Sequence, residues 1–220
     1  ASVIKDCKER MTSMDMRLEN APKFYFYEAS IILMEGMIRF SHRYAKLARE
    51  MAAKEKDETR KAELISLAET CEHIPEHPAR NMREAMQAHW FAHLAAELEQ
   101  VGCGYSEAYL GQKLDPYFQA DKAAGLLDYD DAVFMFQNLT IKLNEINYYY
   151  GEKVALQNSA DLGQSITLAG YTEDGDDATA EMDYVILDAC TYLSLPQPPL
   201  SCALTPKTPG RFLEKVLDCI

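Results

Sequence analysis

His89, His93 and Glu97 stand four residues apart in "MREAMQAHWFAHLAAELEQ", so on a helix all three share one face and could hold a zinc ion. A zinc protease needs Glu directly after the first His as general base. Trp90 stands there, so hydrolysis by that route is excluded. A di-iron bundle would place an acid three residues before a histidine. The residues three before His42, His73, His77, His89 and His93 are Arg39, Thr70, Ile74, Met86 and Trp90, none of them acidic. The alternative is two helical histidines packed among Trp90 and Phe91, each hydrogen-bonded to a neighbour.

A second acidic constellation is "TEDGDDATAE", in which Glu173, Asp174, Asp176, Asp177 and Glu181 surround Gly175. Aligned to a calcium loop with Gly175 at position six, it has Glu181 at twelve and Asp174 at five. Gly170 and Thr172 then occupy positions one and three, and two oxygen ligands are missing. Asp-Gly is a strong turn signal, and Asp176 or Asp177 can cap the helix that follows. A turn between a buried strand and a helix accounts for the acids.

No GxGxxG, Walker lysine or GxSxG occurs. "GYS" at Gly104 to Ser106 reads as a loop. "YYY" at Tyr148 to Tyr150 reads as a helix end against the core, or else as a pocket wall. The six cysteines are scattered with no CxxC pair, which predicts reduced thiols, with Cys71 and Cys190 in the core. A net charge of -13 would repel a phosphate backbone or an anionic membrane surface. "ASIILM" is stopped by Glu35 before it reaches the length of a signal core or a span, and the chain reads as cytoplasmic.

The elements that must position these groups follow from periodicity. "FYFYEASIILMEGMIRFSHRYAKLAREMAAK" runs on a helical period, and "ETRKAELISLAETCEHI" repeats it after a break near Asp57. Asn81 followed by Glu84 has capping-box spacing and opens the helix that carries His89 and His93, which Gly102 closes. Helices are also expected around "DPYFQADKAAG" and "YDDAVFMFQNLTIKLNEINYYY". The second half changes character: "SITLAG" and "PLSCAL" read as short strands, apolar on both faces, on either side of the helix "AEMDYVILDACTYL". Thr208 as cap and Pro209 at the first position start a last helix. A chain that opens and closes inside amphipathic helices reads as a segment of something longer.

Four stretches in this order resemble the glycyl radical enzymes, the group that includes pyruvate formate-lyase and the glycerol, diol and choline lyases. They are "FYEASIILMEGMIRFSHRYAKLA", "CEHIPEHPARNMREAMQAHWFAHL", "SITLAGYTEDGDDATAEMDYVILDA" and "LPQPPLSCALTPKTPGRFL". The resemblance implies an α/β class: a mostly helical segment that contributes strands to a ten-stranded barrel. Residues 1–220 would be the central part of one such domain, with 1–150 as helical shell and 151–220 as a strand-helix-strand unit. The family's Gly-Cys-x-Glu and Arg-Val-x-Gly-Tyr motifs are not found in these residues, so no catalytic residue is assigned here.

What the resemblance implies for the parent is thiyl-radical hydrogen abstraction in a closed, dry cavity, by a radical stored on a glycine outside this segment. No cofactor is bound directly, and no metal is implied. The radical is installed by an iron-sulfur S-adenosylmethionine activating enzyme, an expected partner beside a small-molecule substrate and a second copy in a homodimer. Neither nucleic acid nor membrane is expected. Two places match substrate-facing positions of the family. In the loop after the histidine helix, Cys103 and Gly104 stand where dehydratases carry His and Ser. Before the strand, Gly163 stands where relatives often carry Phe or Trp, with Gln164 beside it; a register shifted by one residue would put Leu162 there. Small residues at both places favour a substrate bulkier than glycerol, unless Tyr105 fills the space.

The expected activity is cleavage of a C–O, C–N, C–S or C–C bond by a lyase or dehydratase working under anaerobic conditions. Arylacetate decarboxylation and formate acetyl transfer come next within the family. A helical scaffold without chemistry is the alternative from another class.

Overall fold

A computed structural model describes residues 1–15, 17–99, 104–146 and 163–219. The chain divides into two compact units. One holds Ala1–Arg80 and Gln87–Ala92, the other Asn81–Met86 and His93–Ile220.

The first unit is all-helical. Helix α1 (Ser2–Thr12) and a short 3-10 turn (Leu18–Asn20) lead into α2 (Ala21–Ala52), followed by α3 (Glu58–His73). At 32 residues α2 is about 48 Å long. Its buried residues are Ser41, Ala45, Ala48 and Ala52, spaced four, three and four apart. That spacing draws a single stripe on one side of the helix. The facing residues Leu64, Ala68 and Cys71 of α3 follow the same rule. Small side chains along the contact let the two backbones approach closely. Asp57, the break seen in the sequence, is the cap of α3: its Oδ1 accepts the Arg60 N–H at 2.8 Å. Phe91 belongs to this unit and packs with Ala45, Cys71 and Ile74, its ring edge-on to Phe40 at 5.9 Å.

Helix α4 (Met82–Glu99) is opened by Asn81, whose Oδ1 accepts the Glu84 N–H at 2.9 Å, as the sequence predicts. In the second unit the Met82 N–H, another donor of that first turn, is taken by the Asp121 carboxylate at 2.8 Å. There follow β1 (Glu107–Ala108), α5 (Leu110–Ala123), α6 (Tyr129–Asn144), β2 (Ile166–Ala169), α7 (Glu181–Leu193), β3 (Leu200–Ala203) and α8 (Gly210–Asp218). The three strands form a parallel sheet in the order β1-β2-β3. Each strand feeds a helix, and parallel neighbours need such crossovers. Ile166 pairs with Leu200, and Thr167 lies between Ala108 and Ser201. Ile166 and Leu168 are fully buried, whereas Ser201 is exposed. Ile166 and Leu168 share one face of β2, while on the other Ala169 is buried and Thr167 half-buried, so the expectation of strands apolar on both faces is met in part by β2 and not by β3. Among the described residues, no helix is long and apolar enough to cross a membrane.

Several boundaries differ from those read in the sequence. Helix α5 begins five residues before Asp115, at Leu110, behind Tyr109 in a left-handed conformation (φ 58°), and carries Pro116 inside it. The cap of α8 is Pro209 itself, while Thr208 Oγ1 accepts the Thr205 N–H one turn earlier. Neither Asp176 nor Asp177 caps α7. Asp177 accepts the N–H and hydroxyl of Thr179 at 3.0 and 3.1 Å, and Asp176 binds Lys207 Nζ at 2.5 Å. The donors at the start of α7 go instead to Asp183, which accepts the Ala180 N–H, and Asp115, which accepts the Met182 N–H. Between them, Thr172 to Asp177 closes as a turn with Gly175 at φ +79°, a conformation that favours glycine. Tyr148 to Tyr150, Cys103 and the closing Gly102 lie outside the described residues.

Candidate functional site

A group of buried polar side chains in the second unit lies at the end of the sheet where the strands begin. His93 and Glu97 come from the last two turns of α4, Glu107 opens β1, Gln164 stands two residues before β2, and Gln197 precedes β3. His93, Glu97 and Gln164 are each 1% exposed. Polar groups so deep cost free energy unless they are hydrogen-bonded; His93 bonds to Gln164, and Glu97 to a backbone N–H.

His93 Nε2 lies 2.6 Å from Gln164 Oε1. An amide oxygen only accepts, so Nε2 carries the proton and donates. Gln164 Nε2 in turn donates to the Leu143 carbonyl at 3.3 Å and to Gln197 Oε1 at 3.2 Å. Glu97 Oε1 accepts the backbone N–H of Tyr105 at 2.5 Å. The Tyr105 ring meets the His93 imidazole edge-on, centroids 5.5 Å apart. Glu107 Oε1 sits 3.8 Å from His93 Nδ1, with Lys113 Nζ 3.7 Å from its other oxygen. The two candidate loops are also tied to each other: Ser106 Oγ donates to the Gly163 carbonyl at 3.1 Å and accepts the Ser165 N–H at 3.2 Å.

The residues singled out in the sequence fall as follows. Gly104 is half-buried beside Tyr105, and Cys103 lies outside the described residues. Gly163 is exposed with φ +69°, and among the described residues a Cβ added there meets no atom within 4 Å. Gln164 is close in space to the 104–106 loop, yet its side chain is committed to His93, Leu143 and Gln197. On the face that His89, His93 and Glu97 share, read as a possible zinc site or as hydrogen-bonded packing, His93 is hydrogen-bonded to Gln164 and Glu97 to the Tyr105 N–H. Sequence reasoning missed Ser106, Glu107 and Gln197, because nothing in "GYSEA" or "LPQPP" marks a buried polar contact.

The described part of the second unit is thus a parallel strand-helix sheet whose strand-leading loops are tied to each other by side-chain hydrogen bonds. The chain matches the pyruvate formate lyase-like family over residues 1–220 and belongs to it. It is 32% identical over 224 residues to isethionate sulfite-lyase of Desulfovibrio desulfuricans, covering 100% of this chain and 27% of the relative. With trans-4-hydroxy-L-proline dehydratase of Clostridioides difficile the identity is 31% over 219 residues, 97% of this chain and 28% of that one. Among solved structures it is similar to the glycerol-bound B12-independent glycerol dehydratase of Clostridium butyricum, with a TM-score of 0.92 and 31% identity. That similarity covers 99% of this chain and 28% of the dehydratase. The chain thus spans little more than a quarter of the length of these relatives.

Proposed function

We propose that this chain is part of a glycyl radical enzyme that cleaves a C–O, C–N, C–S or C–C bond of a small substrate, as a lyase or dehydratase. The observation that carries the reading is the full-length match of residues 1–220 to a family whose similar members are sulfite-lyases and dehydratases. In such an enzyme a thiyl radical takes a hydrogen atom from the substrate, and the thiol so formed returns one to the product radical, leaving the protein unchanged. The thiyl and glycyl residues would lie in parts of the parent beyond these residues. The activating partner would be a radical S-adenosylmethionine enzyme, and the setting cytoplasmic, anaerobic and dimeric.

The contribution of this segment is to wall the substrate. By the family resemblance Cys103, Gly104 and Gly163 stand at substrate-facing positions, and Gln164 holds the second loop. Small residues at positions 104 and 163 favour a substrate larger than glycerol. Arylacetate decarboxylation is the second reading, favoured by the 31% identity over 219 residues to indoleacetate decarboxylase of Tractidigestivibacter scatoligenes.

The test is anaerobic activation of the whole parent protein with its activating enzyme, followed by electron paramagnetic resonance and product analysis. Isethionate, trans-4-hydroxy-L-proline, glycerol and indoleacetate serve as probes. A glycyl doublet with turnover of isethionate or the hydroxyproline supports the lyase or dehydratase reading, and turnover of indoleacetate alone supports the second. A protein that cannot be activated sinks both and leaves the scaffold.

A further inference from the structure

His93 and Glu97 are one helical turn apart on α4, and each grips a different loop. Glu97 Oε1 takes the backbone N–H of Tyr105, and His93 Nε2 donates to the side chain of Gln164. These contacts flank Gly104 and Gly163 in sequence. Across from α4, Ser106 closes the circuit through the Gly163 carbonyl and the Ser165 N–H, and the Glu107 N–H continues it to the Ser165 carbonyl at 2.7 Å. Gln164 adds bonds to the end of α6 and to Gln197 ahead of β3, so the second loop is fixed from three sides.

We infer that His93 and Glu97 are positioning residues that lock segments 104–106 and 163–165 into one rigid unit, so that α4 sets the distance between Gly104 and Gly163. Both groups are 1% exposed, so their hydrogen bonds are not exchanged with water at the surface. Glu97 Oε1 accepts the Tyr105 N–H, a role that a glutamine oxygen can fill. His93 acts as a donor to one amide oxygen, a role that a glutamine N–H can fill. The inference rests on the reading of these two loops as substrate-facing, and adds which side chains determine their spacing.

The experiment uses the whole parent protein with four variants: Glu97→Leu, Glu97→Gln, His93→Leu and His93→Gln. Amide hydrogen exchange is followed on peptides covering 104–108 and 163–169, with the α3 peptide 58–73 as reference. Each leucine variant speeds exchange in both loop peptides by about tenfold or more and leaves the reference unchanged, whereas each glutamine variant stays within about threefold of wild type. A leucine variant that loosens only the loop it touches, or that moves the reference equally, overturns the locked unit. In the activated enzyme, Glu97→Leu lowers kcat/KM for the best-turned-over probe about tenfold at unchanged radical yield, and Glu97→Gln restores it. Unchanged kcat/KM in Glu97→Leu overturns the positioning role. Failure to form any glycyl radical sinks the enzymatic reading alone, because the exchange measurement still decides whether the loops are held as one.

Discussion

A Cβ placed on Gly111 would lie 2.0 Å from Oδ1 of Asp183 and 2.6 Å from its Cγ. Helix α5 therefore touches α7 through a glycine that leaves room for a buried carboxyl. The carboxyl has little freedom to swing aside, since Asp183 is fully buried and its Oδ2 accepts the Ala180 N–H.

Gly111→Ala should destabilise the second unit by about 3 kcal/mol, at the upper end of overpacking costs. The check is the urea midpoint of the variant against wild type. Gly111→Ala combined with Asp183→Ala should be destabilised by less than the sum of the two single changes, because the second change removes the atoms that the first one strikes.

Asp183 also makes stability depend on pH. Burial, chiefly, holds its carboxyl up at about 6 against an ordinary 3.8, with the nearby Asp115 and Asp177 adding to the effect; the Ala180 and Ala169 N–H groups oppose it. The folded state thus keeps a proton that the unfolded chain has already released between pH 4 and 6. The resulting stability is complete below about pH 4 and falls as pH rises through 6, a loss of roughly 3 kcal/mol by linkage. Asp183→Asn, which retains an acceptor for the Ala180 N–H, should flatten this segment of the profile and raise stability at pH 7. Denaturation midpoints at pH 5, 6 and 7 read it directly; parallel profiles for wild type and variant would refute it.

In the first unit, Ser41 is completely buried and its hydroxyl lies 2.6 Å from the Cys71 carbonyl and 2.7 Å from that of Ile74. Cys71 is in the last turn of α3, whose carbonyls lack helical partners. One hydroxyl proton serves two acceptors in turn. Ser41→Ala leaves them dry and unsatisfied, and should cost about 1–3 kcal/mol. Hydrogen exchange should then quicken at the C-terminal end of α3 before it does at Asp57, the other end.

The helices were legible because each carries its own signal: the stripe of Ser41, Ala45, Ala48 and Ala52 is a period that needs no knowledge of α3. Caps with local partners were legible too, as with Asn81 and Glu84. The strand β1 was not, since two residues, Glu107 and Ala108, hold no alternation, and its existence depends on Ile166 and Thr167 fifty-nine positions away. The cap of α7 was misplaced for a related reason: Asp176 and Asp177 have the right chemistry, but Lys207 and Thr179 claim them, and Asp115 serves the helix from another element. Within the candidate site, His93 and Glu97 announced a shared helical face. What that face holds was invisible, because Gln164 lies 71 residues from His93.

The order β1-β2-β3 gives β2 two neighbours and leaves β1 and β3 one each among the described residues. Half the ladder groups of Leu200–Ala203 consequently point outward from β2, ready to accept another backbone. Such rims are templates for backbone pairing, and they invite self-association between copies of the chain that grows with concentration.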